Sequence, residues 1–364
     1  MVKLILVRQT WSHMSSVSGY DPLFEIIQKK MGDTAISVFV STAPYLRKIS
    51  YIEKILYKLG IKKRRYFKLN GPAPSISRQN EITSSIVIDY ATNHPEALIV
   101  LSVSENQFGD IFASASNEIK RRIVLNFHQP PAFLRLHWKD FSVLNSVRSL
   151  ITLSIKCKEY LITKCNKPVY FINHGVNTNY FCPSNTSDNR SFHRLLFVGD
   201  WLRDIDTLTE SMKIIWSKRS DIEINCVIPF SKRKDPKLYD LAQDPRVNWF
   251  ADITVDSLRD LYRSSTLLFL PLKDATANNA ILEAISCGLP VVTSDFGGVR
   301  DYVSEEIAVF CEKGNPLDHA NKTLALLSNH DEIRKRGEKA RKYAVNYLDW
   351  EIISNRYLEL LDVN

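Results

Sequence analysis

A chain of 364 residues with 45% hydrophobic content is longer than one compact domain usually runs, so two domains are expected. The net charge of +8 suits an anionic partner such as a nucleotide diphosphate, a nucleic acid or lipid headgroups. No stretch reaches the roughly 18 uninterrupted apolar residues of a membrane-spanning helix. The opening MVKLILVRQTW is apolar only as far as Arg8, so it reads as a buried strand, without the features of a secretory signal. Six cysteines, Cys157, Cys165, Cys182, Cys226, Cys287 and Cys311, stand singly, with no C-x-x-C pair and no His at zinc-ligand spacing. That argues against a metal cage and favours a reducing compartment, with the thiols packed as small hydrophobes.

Short apolar runs predict strands at residues 3–7, 97–103, 123–127, 150–153 and 169–172, the rhythm of a Rossmann-like half. Between Arg47 and Lys68 a dense set of lysines and arginines is interleaved with Tyr51, Tyr57, Tyr66 and Phe67. It reads as a solvated helix face, as a foot on an anionic membrane, or as an acceptor-binding surface. CPSNTSDNRSFH (residues 182–193) is polar and has no apolar period, which makes it the natural linker. Strands are predicted again at residues 195–198, 222–228, 247–250, 267–270 and 290–293, with helices at residues 205–216 and 278–287 between them. The expected domains are therefore residues 1–182, a linker at 183–193, residues 194–345, and a last helix at 346–364. That helix carries an apolar face of Trp350, Ile353, Tyr357 and Leu360. Its partner is not visible in the sequence, and a return to the first domain is one option.

In an open α/β sheet, ligands gather at the carboxyl ends of the strands, where a following helix points its amide donors at them. Residues 267–303 hold a strand, a loop rich in Asp, Thr and Asn, a helix, a Gly-Leu-Pro turn, another strand and a Gly-Gly pair. Thr276 or Asn278 suits the N-cap, leaving first-turn N–H groups for phosphate oxygens. Glu283 lies on an otherwise apolar helix, where a buried carboxylate needs a partner. A ribose diol, or a nearby Arg or Lys, would satisfy it equally well.

NNAILEAISCGLPVVTSDFGGVRDYV resembles the donor-binding segment of family 4 retaining glycosyltransferases (glycosyl transferases group 1). FINHGVNTNYFCP resembles the strand and loop that close their first domain, and LLFVGDWLRDIDTL the opening of their second. VNWFADITVDSLRDLYRSSTLLFLPL resembles the strand–helix–strand that precedes the donor helix. The four motifs follow in order over most of residues 171–303.

The resemblance implies an α/β protein of the GT-B fold, two Rossmann-like domains facing each other across a central cleft. It implies transfer, with retention of anomeric configuration, from a UDP-, GDP- or ADP-linked sugar to a glycan, lipid-linked or small-molecule acceptor. No metal or other cofactor is implied. Glu283 matches the ribose-binding glutamate. Asn279, Ala280 and Ile281 match the helix start that meets the phosphates, and Arg203, shortly after Gly199, matches the basic residue against the diphosphate. The implied catalytic set is His128, Arg203 and Glu283. In the first domain Gly19, in Ser18-Gly19-Tyr20, stands in the small-residue loop near the diphosphate, and His128, in LNFHQPP, faces the donor sugar. His13, Glu105 and Asn106 are acceptor-side candidates.

Ala275 stands where the family carries a second glutamate, eight positions before Glu283, so Asp274 and Asn278 are expected to hold the sugar instead. The alternative is a nucleotide-sugar-binding subunit with little turnover. Asp204-Ile205-Asp206 resembles the metal-binding Asp-x-Asp of the other main glycosyltransferase fold, a reading that the two-domain pattern contradicts. A cytoplasmic protein is expected, resting on the inner membrane face if the basic stretch is a foot, with no nucleic-acid partner.

Overall fold

The computed structural model describes residues 1–9, 17, 19–40, 76–105, 115–138, 140–184, 193–233 and 235–363. By its internal contacts the chain divides into two units, Met1–Ile172 together with Ser354–Asn364, and Asn173–Ile353.

The first unit is built on six parallel strands: β1 (Leu4–Gln9), β2 (Ala35–Val40), β3 (Leu98–Leu101), β4 (Ile123–Phe127), β5 (Ser149–Thr152) and β6 (Val169–Phe171). Their order is β2-β1-β3-β4-β5-β6. The second unit repeats the plan with β7 (Arg194–Val198), β8 (Glu223–Val227), β9 (Val247–Phe250), β10 (Leu267–Leu270), β11 (Val291–Ser294) and β12 (Ala308–Cys311), ordered β12-β11-β10-β7-β8-β9. The strands read as apolar runs because a parallel sheet with helices on both faces buries both sides of each inner strand. Every residue of β1, β3, β4 and β10 is buried. The edge strands β2 and β12, which the apolar rhythm did not predict, add to the strands expected from sequence.

In each sheet the strand order reverses once, between β1 and β3 and between β7 and β10. The loops leaving those strands diverge there and open a crevice at their carboxyl ends, the ligand position of doubly wound sheets.

The division after Ile172 falls ahead of the boundary expected at Cys182. Residues 173–182 are held by later elements of the second unit, so they count with it. Val176 N–H donates to the Leu348 carbonyl at 2.8 Å, Ser286 Oγ donates to the Phe181 carbonyl at 2.5 Å, and Arg341 Nη1 donates to the carbonyls of Thr178 and Phe181 at 2.9 and 3.1 Å. A Cβ on Gly175 would strike the Trp350 ring. Residues 185–192, most of the expected linker, lie outside the described residues.

The helix Trp350–Leu361 passes into the first unit at Ser354. There Tyr357 is fully buried, edge-on to Phe24 at 6.2 Å, and its hydroxyl donates to Asn126 Oδ1 at 2.8 Å. Lys30 Nζ donates to Ser354 Oγ and Asn355 Oδ1, both at 2.7 Å. Four of the six free cysteines are buried and two are half-buried. Among the described residues no helix is long and apolar enough to cross a membrane.

Candidate functional site

The crevice between β7 and β10 gathers most of the second-unit residues singled out from sequence. After β7 the chain turns at Gly199 (φ 85°) and Leu202 (φ 58°). This brings Arg203 back over the strand end, where its Nε donates to the Val198 carbonyl at 2.9 Å and Nη1 to the Trp201 carbonyl at 3.0 Å. A Cβ on Gly199 would stand 3.1 Å from Arg203 Nη2, so glycine serves both the left-handed turn and the room for the guanidinium.

After β10 the chain passes alongside this turn. Asp204 N–H donates to the Pro271 carbonyl at 3.0 Å and Lys273 N–H to the Leu202 carbonyl at 2.9 Å. The loop then reaches the helix Asn279–Ser286, capped by Asn278, whose Oδ1 accepts from Ile281 N–H at 3.4 Å and from Arg203 Nη2 at 3.3 Å. Asn278 thus ties the helix start to the arginine. The amides of Asn279, Ala280 and Ile281 open the helix beside it. Asp274 Oδ1 accepts from the Ala275 N–H at 2.9 Å, and Ala275 is buried.

Glu283 is buried, 4% exposed. Its Oε2 accepts from the hydroxyl of Tyr262 at 2.9 Å, and Tyr262 is fully buried in the helix Val255–Ser264. Burial, and then the Glu283 carboxylate, push the Tyr262 hydroxyl well above the usual phenol range, so it stays a donor. Burial lowers Arg203 to about 10, against the opposing pull of Tyr262, Asp200 and Glu283, and it remains cationic near neutrality. A half-buried cation, an anchored carboxylate and a helix N-terminus therefore share one crevice.

Tyr262 escaped the sequence reading because only the fold brings it to Glu283. Gly297 (φ 68°) escaped likewise: a Cβ there would stand 2.6 Å from the Ala275 nitrogen and oxygen and from Asp274 Oδ1. The Gly-Gly pair is thereby the seat of the 271–278 loop. Asp204 and Asp206 have other employment. Asp204 caps the helix Ile205–Lys218 and accepts from Thr207 Oγ1 at 2.8 Å, and Asp206 pairs with Lys237 at 2.6 Å. Among the described residues no group of three or more His, Cys, Asp or Glu side chains is arranged to hold a metal ion.

In the first unit the reversal between β1 and β3 collects a second polar cluster. Asn126, fully buried, accepts on Oδ1 from Tyr20 at 3.2 Å and Tyr357 at 2.8 Å, and donates from Nδ2 to the Leu101 carbonyl at 2.7 Å. Glu105 Oε1 accepts from the backbone N–H groups of His128 and of Gln129, the latter at 2.7 Å. Its Oε2 is buried with no hydrogen-bond partner among the described residues, and burial raises the carboxyl to about 7. His128 Nε2 lies 2.7 Å from the Ser102 carbonyl. A carbonyl only accepts, so Nε2 carries the hydrogen. Burial lowers this imidazole to about 4, which keeps it neutral.

Gly19 (φ 85°) stands just before Tyr20, whose ring meets His128 edge-on at 4.6 Å. Arg8, at the end of β1, is held by Asp21 at 2.8 and 2.7 Å. His13, Asn106, Ser18 and the stretch between Arg47 and Lys68 lie outside the described residues.

Two Rossmann-like units in one chain make the GT-B class of fold, and solved structures of like shape share it. Sucrose-phosphate synthase from Thermosynechococcus elongatus superposes with a TM-score of 0.74 at 15% identity, covering 100% of this chain and 98% of that one. HepE from Anabaena, solved in complex with UDP-glucose, gives 0.71 at 16% identity with both chains fully covered.

Residues 193–329 match the family model of glycosyl transferases group 1, so the second unit is a glycosyl transferases group 1 domain. An uncharacterized glycosyltransferase of Methanocaldococcus jannaschii is 23% identical over 245 residues, 61% of this chain and 65% of the relative. The match thus spans just under two thirds of that relative's length.

Proposed function

We propose that the chain transfers a sugar from a nucleotide-diphosphate sugar to a glycan, lipid-linked or small-molecule acceptor, with retention of configuration. The observation that carries this is the buried Glu283, anchored by Tyr262 in the same crevice as Arg203 and the start of the Asn279–Ser286 helix.

The Glu283 carboxylate takes the ribose hydroxyls, as a carboxylate can accept several hydrogen bonds at once. Three hydrogen bonds engage Nε, Nη1 and Nη2 of Arg203, and its remaining N–H donors meet the diphosphate together with the amides of Asn279, Ala280 and Ile281. Loss of the nucleoside diphosphate builds negative charge on the leaving group, and donors already fixed in place stabilise that charge without reorganising. These groups supply the positive field, so transfer is proposed to proceed without a metal.

Asp274 is held at the loop by one oxygen and Asn278 at the cap by its carbonyl, which leaves the second Asp274 oxygen and the Asn278 amide for the sugar in place of the absent glutamate. In the first unit neutral His128 and Glu105 are the groups offered to the acceptor side of the reaction. The proposed location is cytoplasmic, with membrane contact through the basic stretch between Arg47 and Lys68.

UDP-, GDP- and ADP-sugars screened by thermal melting, followed by transfer of labelled sugar from the best stabiliser, test the proposal. Saturating ligand at 100 times its dissociation constant adds about 2.7 kcal/mol. A chain that no nucleotide sugar stabilises overturns the reading, and stabilisation without transfer or hydrolysis makes it a binding subunit.

A further inference from the structure

Behind the 271–278 loop lies a buried relay. Ser294, the last residue of β11, and His319, in the helix Pro316–Leu327, are both fully buried. His319 Nδ1 lies 2.8 Å from the Asn315 carbonyl, which can only accept, so Nδ1 bears the hydrogen and Nε2 the lone pair. Nε2 stands 3.2 Å from Ser294 Oγ. The serine hydroxyl therefore donates to the imidazole, and its oxygen accepts from the Leu272 N–H at 2.9 Å.

Leu272 is bridged on its other side to Arg203, flanked by the Asp204-to-Pro271 and Lys273-to-Leu202 bonds. One backbone amide thus ties the relay to both loops of the β7/β10 crevice. Burial holds His319 below the usual imidazole range, which favours the neutral ring that can accept from Ser294. Asp318 and Lys322 on its own helix pair with each other at 2.9 Å, and Asp204 is engaged by Thr207.

We propose that Ser294 and His319 are positioning residues, which fix the register of the 271–278 loop against Arg203 and so set the grip on the diphosphate. The proposal rests on the reading of the crevice given under Proposed function. It differs from a purely structural role because the bond it fixes holds the phosphate-facing loops, whereas the ribose contact at Glu283 depends on Tyr262.

The test measures calorimetric affinity for UDP, GDP or ADP, whichever binds the parent tightest, and for the matching nucleoside, in Ser294→Ala, His319→Leu and His319→Gln. Ser294→Ala and His319→Leu are expected to weaken the diphosphate roughly tenfold, the loss of one buried hydrogen bond, with the nucleoside affinity at the parental value. His319→Gln, whose side-chain carbonyl accepts from Ser294, restores most of the loss, and this pair at position 319 decides the matter if Ser294→Ala does not fold. Parental diphosphate affinity in both disruptive variants, or equal losses for diphosphate and nucleoside, overturns the proposal alone. A parent that binds none of the three diphosphates overturns it together with the reading it rests on.

Discussion

Glu283 and Glu105 are both carboxylates in otherwise apolar surroundings, and their partners give them different characters. Glu283 has a phenol donor on one oxygen. A Gln there still accepts from Tyr262 but cannot take both ribose hydroxyls as a carboxylate does. Glu283→Gln is therefore expected to melt within a few degrees of the parent and to bind nucleoside diphosphate roughly tenfold more weakly; calorimetric titration beside a melting curve decides it, and unchanged affinity removes the ribose role. Glu105 has two amide donors on one oxygen and, among the described residues, none on the other, and burial wins, raising it to about 7. Its folded value lies above its unfolded one, so the stability it contributes is present below about pH 4.5 and is lost as pH rises through 7. Glu105→Gln should therefore raise stability at pH 8 by about 3 kcal/mol and leave it little changed near pH 4.5. Melting curves across that range would show a flatter profile, and a profile parallel to the parent's would place the carboxyl in water.

Among the elements, the loop at 271–278 depends on neighbours far away in the chain. Gly297 admits it only because nothing projects from its Cα, and its positive φ adds a second demand for glycine. Since the obstructing atoms include backbone, the loop cannot yield as a flexible side chain would. Gly297→Ala is expected to cost more than about 1 kcal/mol and to weaken nucleotide binding, both measurable in one thermal-shift series with and without ligand. A variant that keeps the parental melting point and affinity would show that the loop tolerates displacement. The helix Asn279–Ser286 was legible in advance because its N-cap, its apolar run and the following Gly-Leu-Pro turn are all local signals. Its partner Tyr262 was not, since no local pattern tells which of many tyrosines reaches a given carboxylate.

Over the whole molecule, the return of the chain to its first unit is the feature with the largest predicted consequence. Tyr357 occupies a fully buried place beside Phe24 and Asn126. Tyr357→Phe removes one hydrogen bond to Asn126, at about 1 kcal/mol. Tyr357→Ala leaves a cavity, at about 3–5 kcal/mol, and a chain ending at Ile353 should lose cooperative melting of the first unit. Limited proteolysis of that truncated chain is expected to cut within the first unit and spare the glycosyl transferases group 1 domain; equal resistance throughout would make the last helix dispensable. The sequence by itself determined the class of the fold, because parallel strands buried on both faces can hardly be written without long apolar runs separated by helical periods. It also marked out the segment proposed to hold the donor, whose cap, carboxylate and glycines stand close together in the chain. Only the tertiary structure decided that Tyr262 serves Glu283, that Asn278 is tied to Arg203, that Gly297 seats Ala275, and that residues 173–182 and 354–363 belong to units other than those their position in the chain suggests. Each of these is a contact between residues distant in sequence, set by strand order and by which buried groups must find hydrogen-bond partners, and such pairings leave no periodic mark on the chain.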